Sequence, residues 1–354
     1  MNLSRVLIGT QSVKPRSYAS LFHPWEFALL VALAALLCFI PTTSLACACG
    51  CGVFDVGVGN MMPSDSESGF SLWFRYSYMD QNQNWEGSSK AAASDNNDKE
   101  IKTSFFTIGG MYMIDRSWTV MAELPMYSRH LTTTDDGTVF GPAGSIYTAH
   151  LTDMGDLQLS GLYTGFSPDM STGLSFGVKL PTGNYTGPTG PLGGSEIDRD
   201  TLPGTGSTDV MIGGYHVGGL NSDDSLAYFV QARYQVAVFT RNDYRPGNEL
   251  DAAVGLTYSF GQLGPFAKVA PILQLINSYR YHDTGNAADY LNSGYERLLV
   301  APGIELRLAK VRLFADVEIP VYQYTNSALS VDVEGTAGQL VAPVLYKAQV
   351  AYDF

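Results

Sequence analysis

Apolar and polar residues alternate along much of this chain. The segment 69–80, GFSLWFRYSYMD, places Phe70, Leu72, Phe74, Tyr76 and Tyr78 at one parity and mostly polar residues at the other. A β-strand directs successive side chains to opposite faces, so this segment is predicted to be a strand with one apolar and one polar face. The C-terminal segment 344–354 repeats the pattern.

Ten further segments of this kind lie between these two. They lie near 103–114, 117–129, 155–165, 170–180, 208–218, 226–239, 250–260, 265–281, 296–309 and 311–323. Their lengths suit the 9–11 residues with which a tilted strand crosses a bilayer. The pattern therefore predicts twelve strands, an even number.

The links between these segments alternate in length. The short links are 115–117, 167–169, 221–224, 261–264 and 309–310, and the long links are 80–102, 130–154, 181–207, 240–249, 282–295 and 324–343. With a periplasmic N-terminus, every short link lies on the periplasmic side and every long link outside. This arrangement is typical of a transmembrane antiparallel up-and-down β-barrel of the bacterial outer membrane, whereas a soluble β-sandwich has no reason to sort its loops. We predict such a barrel over residues 69–354.

Aromatic residues near the periplasmic strand ends agree with this topology. The predicted outward-facing set is Trp118, Tyr163, Tyr228, Tyr258, Phe260, Tyr352 and Phe354. Such residues favour the membrane interface, so we expect a girdle in contact with outer-membrane lipid. The ending VAYDF resembles the signal by which outer-membrane barrels are recognised for insertion, which makes the barrel-assembly machinery an expected partner of Phe354.

The charged residues of the strands fall almost entirely on the opposite, inward face. A charge facing lipid costs about 2–4 kcal/mol for Arg or Lys at the midplane, so this placement predicts a polar interior. These charges either pair structurally or line an aqueous path, and the pattern does not decide between the two. The candidate pore-lining residues are Arg75, Glu123, Asp156, Lys179, Arg233, Lys268, Glu305, Arg307, Arg312, Asp316, Glu318 and Lys347, and Asp251 and Arg280 share their face.

The N-terminus resembles a secretory signal. Residues 1–46 contain a basic start, the apolar run 27–40 and a small-residue ending, and cleavage fits after Ala46 or Ala48. Removing this segment takes three basic and one acidic residue from totals of 21 and 34, so the rest of the chain has a net charge near −15. An acidic chain has no electrostatic footprint for nucleic acid.

Three cysteines follow the predicted cleavage region. Cys47, Cys49 and Cys51 stand at alternate positions in a predicted periplasmic segment, 47–68, ahead of the first strand. Thiolates bind copper(I) or zinc, although this spacing differs from the Cys-x₂-Cys usual in zinc sites. A metal or redox role, lipidation of Cys47 and no specific role remain the alternatives.

Three motifs within residues 154–215 carry a family resemblance. They are MGDLQLSGLYTG (154–165), GLSFGVKLPTGNY (173–185) and LPGTGSTDVMIGGY (202–215). They resemble the outer-membrane proteins of the MetA-pathway phenol-degradation family, which are described as transporters. The resemblance implies a β-barrel that transports small molecules of an aromatic or otherwise apolar kind, and it carries over no site residue.

Two functions are therefore considered. The first is a channel or transporter for passive passage of small solutes. The second is a barrel scaffold that binds a periplasmic partner in metal handling or electron transfer through its cysteines. We predict no enzymatic activity: Ser145, His150 and Asp153 form a local triad candidate, but a solvated polar loop explains them better. The sequence has no haem-attachment, P-loop or zinc-protease motif.

Overall fold

The computed structural model describes residues 69–134, 144–186, 199–327 and 338–354. These residues form sixteen strands and two short 3₁₀ helices, Ala93–Asp95 and Arg199–Thr201. The strands are β1 (Gly69–Gln81), β2 (Gln83–Glu86), β3 (Ser89–Lys90), β4 (Asp98–Met113), β5 (Trp118–Thr134), β6 (Ile146–Met154), β7 (Leu157–Tyr163), β8 (Thr172–Leu180), β9 (Thr208–Gly219), β10 (Leu226–Phe239), β11 (Glu249–Tyr258), β12 (Lys268–Arg280), β13 (Tyr295–Leu308), β14 (Val311–Thr325), β15 (Gln339–Val341) and β16 (Leu345–Asp353). No helix in the described ranges is long and apolar enough to span a membrane.

The main sheet closes on itself. Its strands pair antiparallel in the order β4-β1-β16-β14-β13-β12-β11-β10-β9-β8-β7-β5, and β4 also pairs with β5. β6 and β7 both pair with β5 and form two halves of one barrel strand, interrupted at Gly155 and Asp156. The wall therefore has twelve strands, and the predicted up-and-down barrel is confirmed.

One segment assigned to a long loop belongs to the wall instead. β5 continues to Thr134, and β6 pairs with it from Ile146 to Met154, within the predicted link 130–154. Alternation in β6 is weak, because its outward positions are partly polar, and the link therefore looked like a loop.

The two faces of the wall separate apolar from polar residues as predicted. In β1, Phe70, Leu72 and Phe74 are exposed outward, whereas Ser71 and Arg75 are buried inside. An apolar outer face beside a polar inner face is the reverse of a soluble protein and fits a barrel surrounded by lipid. The expected aromatic girdle is present as well: Trp118 contacts Tyr163, and Phe354 contacts Phe70 and Tyr352.

The links between strands are short at one end of the barrel and long at the other. The short turns lie at the end that is periplasmic in outer-membrane barrels. At the other end, β2 and β3 of the first long loop form a small sheet with β15 of the last. Leu202 and Leu340, from two different loops, pack against Ile101, Leu131 and Leu151 of the wall. These loops therefore fold inward over the outer opening.

The predicted signal peptide, the segment 47–68 and its cysteines Cys47, Cys49 and Cys51 lie outside the described residues. In the ranges that are described, no group of three or more His, Cys, Asp or Glu side chains could hold a metal ion.

Candidate functional site

The barrel interior brings together the charged residues selected from the sequence. Each of the twelve candidates lies at an interior position of its strand or, for Asp156, at the interruption between β6 and β7. Arg75, Asp156, Lys179, Arg312, Asp316, Glu318 and Lys347 are buried, and Glu123, Arg233, Lys268, Glu305 and Arg307 are half-buried.

Most of these charges form ion pairs with neighbours along the wall. The distances are 3.3 Å for Arg75–Glu123, 3.3 Å for Arg233–Asp251, 3.2 Å for Lys268–Glu305, 2.9 Å for Arg312–Asp353, 3.7 Å for Arg307–Asp353 and 2.6 Å for Lys347–Glu318. Asp316 accepts a hydrogen bond from Gln274 Nε2 at 2.8 Å. The paired strands are adjacent in the barrel or one strand apart, so these bonds follow the wall and do not cross the lumen.

A separate buried cluster surrounds the interruption at Asp156. Lys179 Nζ lies 3.0 Å from Asp156 and 3.2 Å from Asp209, and it also contacts the Thr205 hydroxyl. Asp156 accepts hydrogen bonds from the backbone amides of Gly183 and Thr205, each at 3.0 Å. The cluster therefore ties both ends of the third long loop, 181–207, to the wall.

Three glycines pack together beside this cluster. A Cβ on Gly183 would lie 2.7 Å from the carbonyl carbon of Gly155 and 2.8 Å from Cα of Gly204. Only glycine permits such close backbone approach. These glycines come from the three sequence motifs that carry the family resemblance, which gives the motifs a common structural role.

Aromatic side chains cover glycines on the interior face. Trp73 faces Gly109, Phe229 faces Gly255 and Tyr215 faces Gly173 as direct cross-strand partners. A Cβ on these three glycines would lie 2.1, 2.3 and 2.3 Å from the facing ring. The missing side chains allow each ring to lie over its glycine, close to the wall.

Small residues occupy neighbouring interior positions of β7, β8 and β9. Ser160 pairs with Gly177, and Ser175 pairs with Gly213, across three consecutive strands. All four are half-buried. Next to them, Arg233 is the direct partner of Gly213, and 29% of its side chain is exposed. Solvent therefore reaches the interior beside this patch.

Loops at the outer opening hydrogen-bond to one another. Asp283 accepts bonds from Tyr244 Oη at 2.6 Å, Gly247 N at 2.7 Å and Arg280 Nη2 at 2.7 Å. Burial, followed by the charge of Asp283, raises the pKa of Tyr244 well above its usual value. Gln339 Nε2 donates to the carbonyls of Gly294 and Asn326 at 2.9 and 2.8 Å. These contacts join the fourth, fifth and sixth long loops.

The third loop reaches this cap through Arg199 and Asp200. The Arg199 guanidinium lies 5.1 Å from the ring centre of Tyr185 and 4.8 Å from that of Tyr244. Burial, followed by the negative charge of Asp283, raises the pKa of Asp200 to about 7. Part of this cap therefore gains a charge near neutral pH.

The structure does not assemble the local triad candidate. His150 is exposed on the outer face of β6, whereas Asp153 has the opposite parity and accepts a hydrogen bond from Asn184 Nδ2 at 2.9 Å. An alternating strand keeps these two side chains on different faces.

Sequence reasoning missed two groups of site residues. The interior aromatics Trp73, Tyr215 and Phe229 share the inward parity, and this signal was available but was applied only to charges. The cap residues Asp200, Tyr244 and Asp283 lie in loops, where no periodic pattern indicates which side chains meet.

The closed twelve-strand wall, its apolar outer face and its polar interior define a bacterial outer-membrane β-barrel. No protein-family model and no curated protein matches the sequence, whereas solved structures resemble the fold.

The COG4313 outer membrane channel from Pseudomonas putida F1 aligns with 83% of this chain and 99% of its own, with a TM-score of 0.57 and 12% identity. The CymD monoaromatic hydrocarbon channel aligns with 86% of this chain and 95% of its own, with a TM-score of 0.41 and 9% identity. The toluene transporter TbuX from Ralstonia pickettii aligns with 83% and 90%, with a TM-score of 0.36 and 9% identity. The first comparison supports the fold, and the other two are too distant to add to it.

Proposed function

We propose that this barrel is a channel for passive passage of small solutes, with aromatic or other apolar molecules as its substrates. The twelve charged residues selected from the sequence line or border the path. We further propose that the chain is a member of the MetA-pathway phenol-degradation family, on the strength of its three motifs.

The patch of small residues beside exposed polar groups is the observation that carries this proposal. Ser160, Ser175 and Gly213 are small residues at neighbouring interior positions of three strands, and solvent reaches Arg233 next to them. Ion pairs that follow the wall neutralise its charge without bridging the lumen. Such a surface admits a solute without presenting an unpaired charge.

The preference for apolar solutes is supported by the family resemblance, which implies aromatic or otherwise apolar substrates. Ligand sites commonly combine apolar lining with a few placed polar groups. The interior supplies such lining in Trp73, Tyr215 and Phe229, whose rings lie over glycines with at most 7% of each residue exposed.

A pair of tryptophan substitutions tests the path. Ser160→Trp fills the interior patch, and Leu159→Trp changes the neighbouring residue, which faces outward and is 39% exposed. In planar bilayers and in liposome-swelling assays we expect Ser160→Trp to lower conductance and swelling several-fold. Leu159→Trp should match the parent protein. A parent that conducts nothing, or a Ser160→Trp variant that conducts as the parent does, would contradict the proposal.

Substrate preference requires a separate measurement. Bacteria that produce the barrel should take up ring-labelled toluene faster than cells without it, and Ser160→Trp should remove the difference. If toluene uptake does not depend on the barrel while conductance is normal, the channel function stands and the aromatic substrate is excluded.

A further inference from the structure

On the outer surface of β1, β4, β5 and β6, successive rows of residues change from apolar to polar to ionisable. The strand registers align three outward rows: Tyr76, Phe106, Met126 and Met154; then Tyr78, Ser104, Ser128 and Thr152; then Asp80, Lys102, His130 and His150. The first row is part of the apolar surface that faces lipid, and every residue of the second row carries a hydroxyl group. The third row, which is ionisable, therefore lies beyond the hydrocarbon and in contact with water.

His130 and His150 in this third row are direct cross-strand partners. Their ring centroids are 4.0 Å apart and the ring planes are inclined at 67°. Both residues are exposed. Directly opposed residues hold their Cβ atoms about 4.5–5.5 Å apart, so the backbone keeps the two imidazoles together whatever their rotamers.

The charges around the pair favour a cation over an anion. Lys102, the neighbour of His130, lies 2.7 Å from Glu100 and directly opposite Asp80. Two carboxylates thus surround one ammonium. Arg129, which precedes His130 in β5, is buried and points inward. The outer face near the histidines therefore carries a net negative charge when the imidazoles are neutral, which attracts cations.

We propose that His130 and His150 together bind one divalent transition-metal ion at the external surface, just beyond the lipid. Imidazole suits copper, nickel and zinc, and Cu²⁺ is bound most tightly of these at a given nitrogen site. Metal–nitrogen bonds are about 2.0–2.1 Å for zinc, which the adjacent rings reach by rotating their exposed side chains. Water completes the coordination.

The proposed ligands of this site are neither residues of the proposed transport path nor the cysteines. A T-shaped contact between two aromatic rings also forms without a metal, so the ring geometry by itself does not distinguish the two cases. Metal binding differs from a ring contact in one respect, because imidazole coordinates a metal only in its neutral form.

Copper titration of the mature barrel tests the proposal. The protein is folded in detergent, freed of any histidine tag and alkylated at its thiols, and Cu²⁺ binding is followed by calorimetry and electron paramagnetic resonance. At pH 7.5 we expect one tight equivalent with hyperfine splitting from two nitrogens. His130→Ala and His150→Ala should each lower the affinity by at least about tenfold, because even the loss of an outer-shell partner of a ligand costs that much.

His282→Ala is the matched control, since His282 packs against Tyr290 in an outer loop and not against another histidine of the described ranges. It should bind copper as the parent does. Circular dichroism and heat-modifiable gel migration verify that each variant is folded. Absence of a stoichiometric equivalent in the parent, or parent-like affinity in both His130→Ala and His150→Ala, would overturn the assignment.

Discussion

Lys347 Nζ lies 2.6 Å from Glu318 Oε1 inside the barrel, and only 1% and 3% of the two side chains are exposed. The two residues belong to the adjacent strands β16 and β14. A pair in this setting has lost its hydration, so each charge depends on the other for stabilisation. The contribution of an interior ion pair to the stability of the barrel therefore depends on how much water reaches the pair.

Replacing Lys347 with methionine should destabilise the barrel strongly. The substitution leaves the Glu318 carboxylate buried without its cation, which typically costs about 3–5 kcal/mol. Urea unfolding in lipid vesicles, followed by tryptophan fluorescence, measures the loss. Glu318→Gln combined with Lys347→Met should recover part of it, because the buried charge is then removed.

Lys268→Met provides the comparison. Its pair with Glu305 is more accessible, with 34% and 16% of the side chains exposed, and such pairs contribute about 0–1 kcal/mol. Equal losses in Lys347→Met and Lys268→Met would show that burial does not set the strength of these interactions.

Gly183→Ala should loosen the attachment of the third long loop. The added methyl group would meet the backbones of Gly155 and Gly204 at 2.7–2.8 Å, and backbone atoms cannot move aside as a flexible side chain can. We expect a loss of about 1–3 kcal/mol, as for other overpacking substitutions, and faster proteolysis within 181–207.

Gly110→Ala is the control for this substitution. Its Cβ would lie 3.1 Å from the end of the Leu72 side chain and 3.7 Å from the Phe70 ring, and both side chains are exposed and can shift. Limited proteolysis and thermal unfolding of the two variants should therefore differ clearly. Identical profiles would contradict the role of the three-glycine contact.

The wall of the barrel could be predicted because lipid imposes a simple rule on it. Each strand must be apolar outside, so parity alone placed Arg75 and Lys347 inside. The identity of their partners could not be predicted in the same way. Arg75 meets Glu123 across an intervening strand, and such a contact depends on barrel closure and stagger as well as on alternation.

The loops could not be predicted from the sequence, because their contacts join distant segments without a periodic signal. Asp200 and Asp283 are separated by 83 positions and influence each other electrostatically in the cap. Likewise, the three motifs contain several glycines, of which Gly183 and Gly204 are needed for close backbone packing. The motif was visible, but its physical reason required the fold.

The cap should become less stable as the pH rises through the range from about 4 to 7. The pKa of Asp200 is raised to about 7 in the folded state by burial and by the charge of Asp283, against the opposing effects of Arg280 and Arg129. Asp289 also raises it. Between the unfolded pKa, about 3.9, and the folded value, the folded state holds a proton that the unfolded state has lost. Stability from this group therefore falls with rising pH and becomes constant above about 7.

Asp200→Asn should remove this dependence, because the amide stays neutral at every pH. Each unit of pKa shift corresponds to about 1.4 kcal/mol, so the parent loses at most about 4 kcal/mol from this group between pH 4 and pH 8. Thermal unfolding of parent and variant across that range measures the difference, since the other titrating groups are common to both. The variant should gain stability relative to the parent as the pH rises, and a constant difference between the two curves would show that Asp200 ionises in the cap as it does in water.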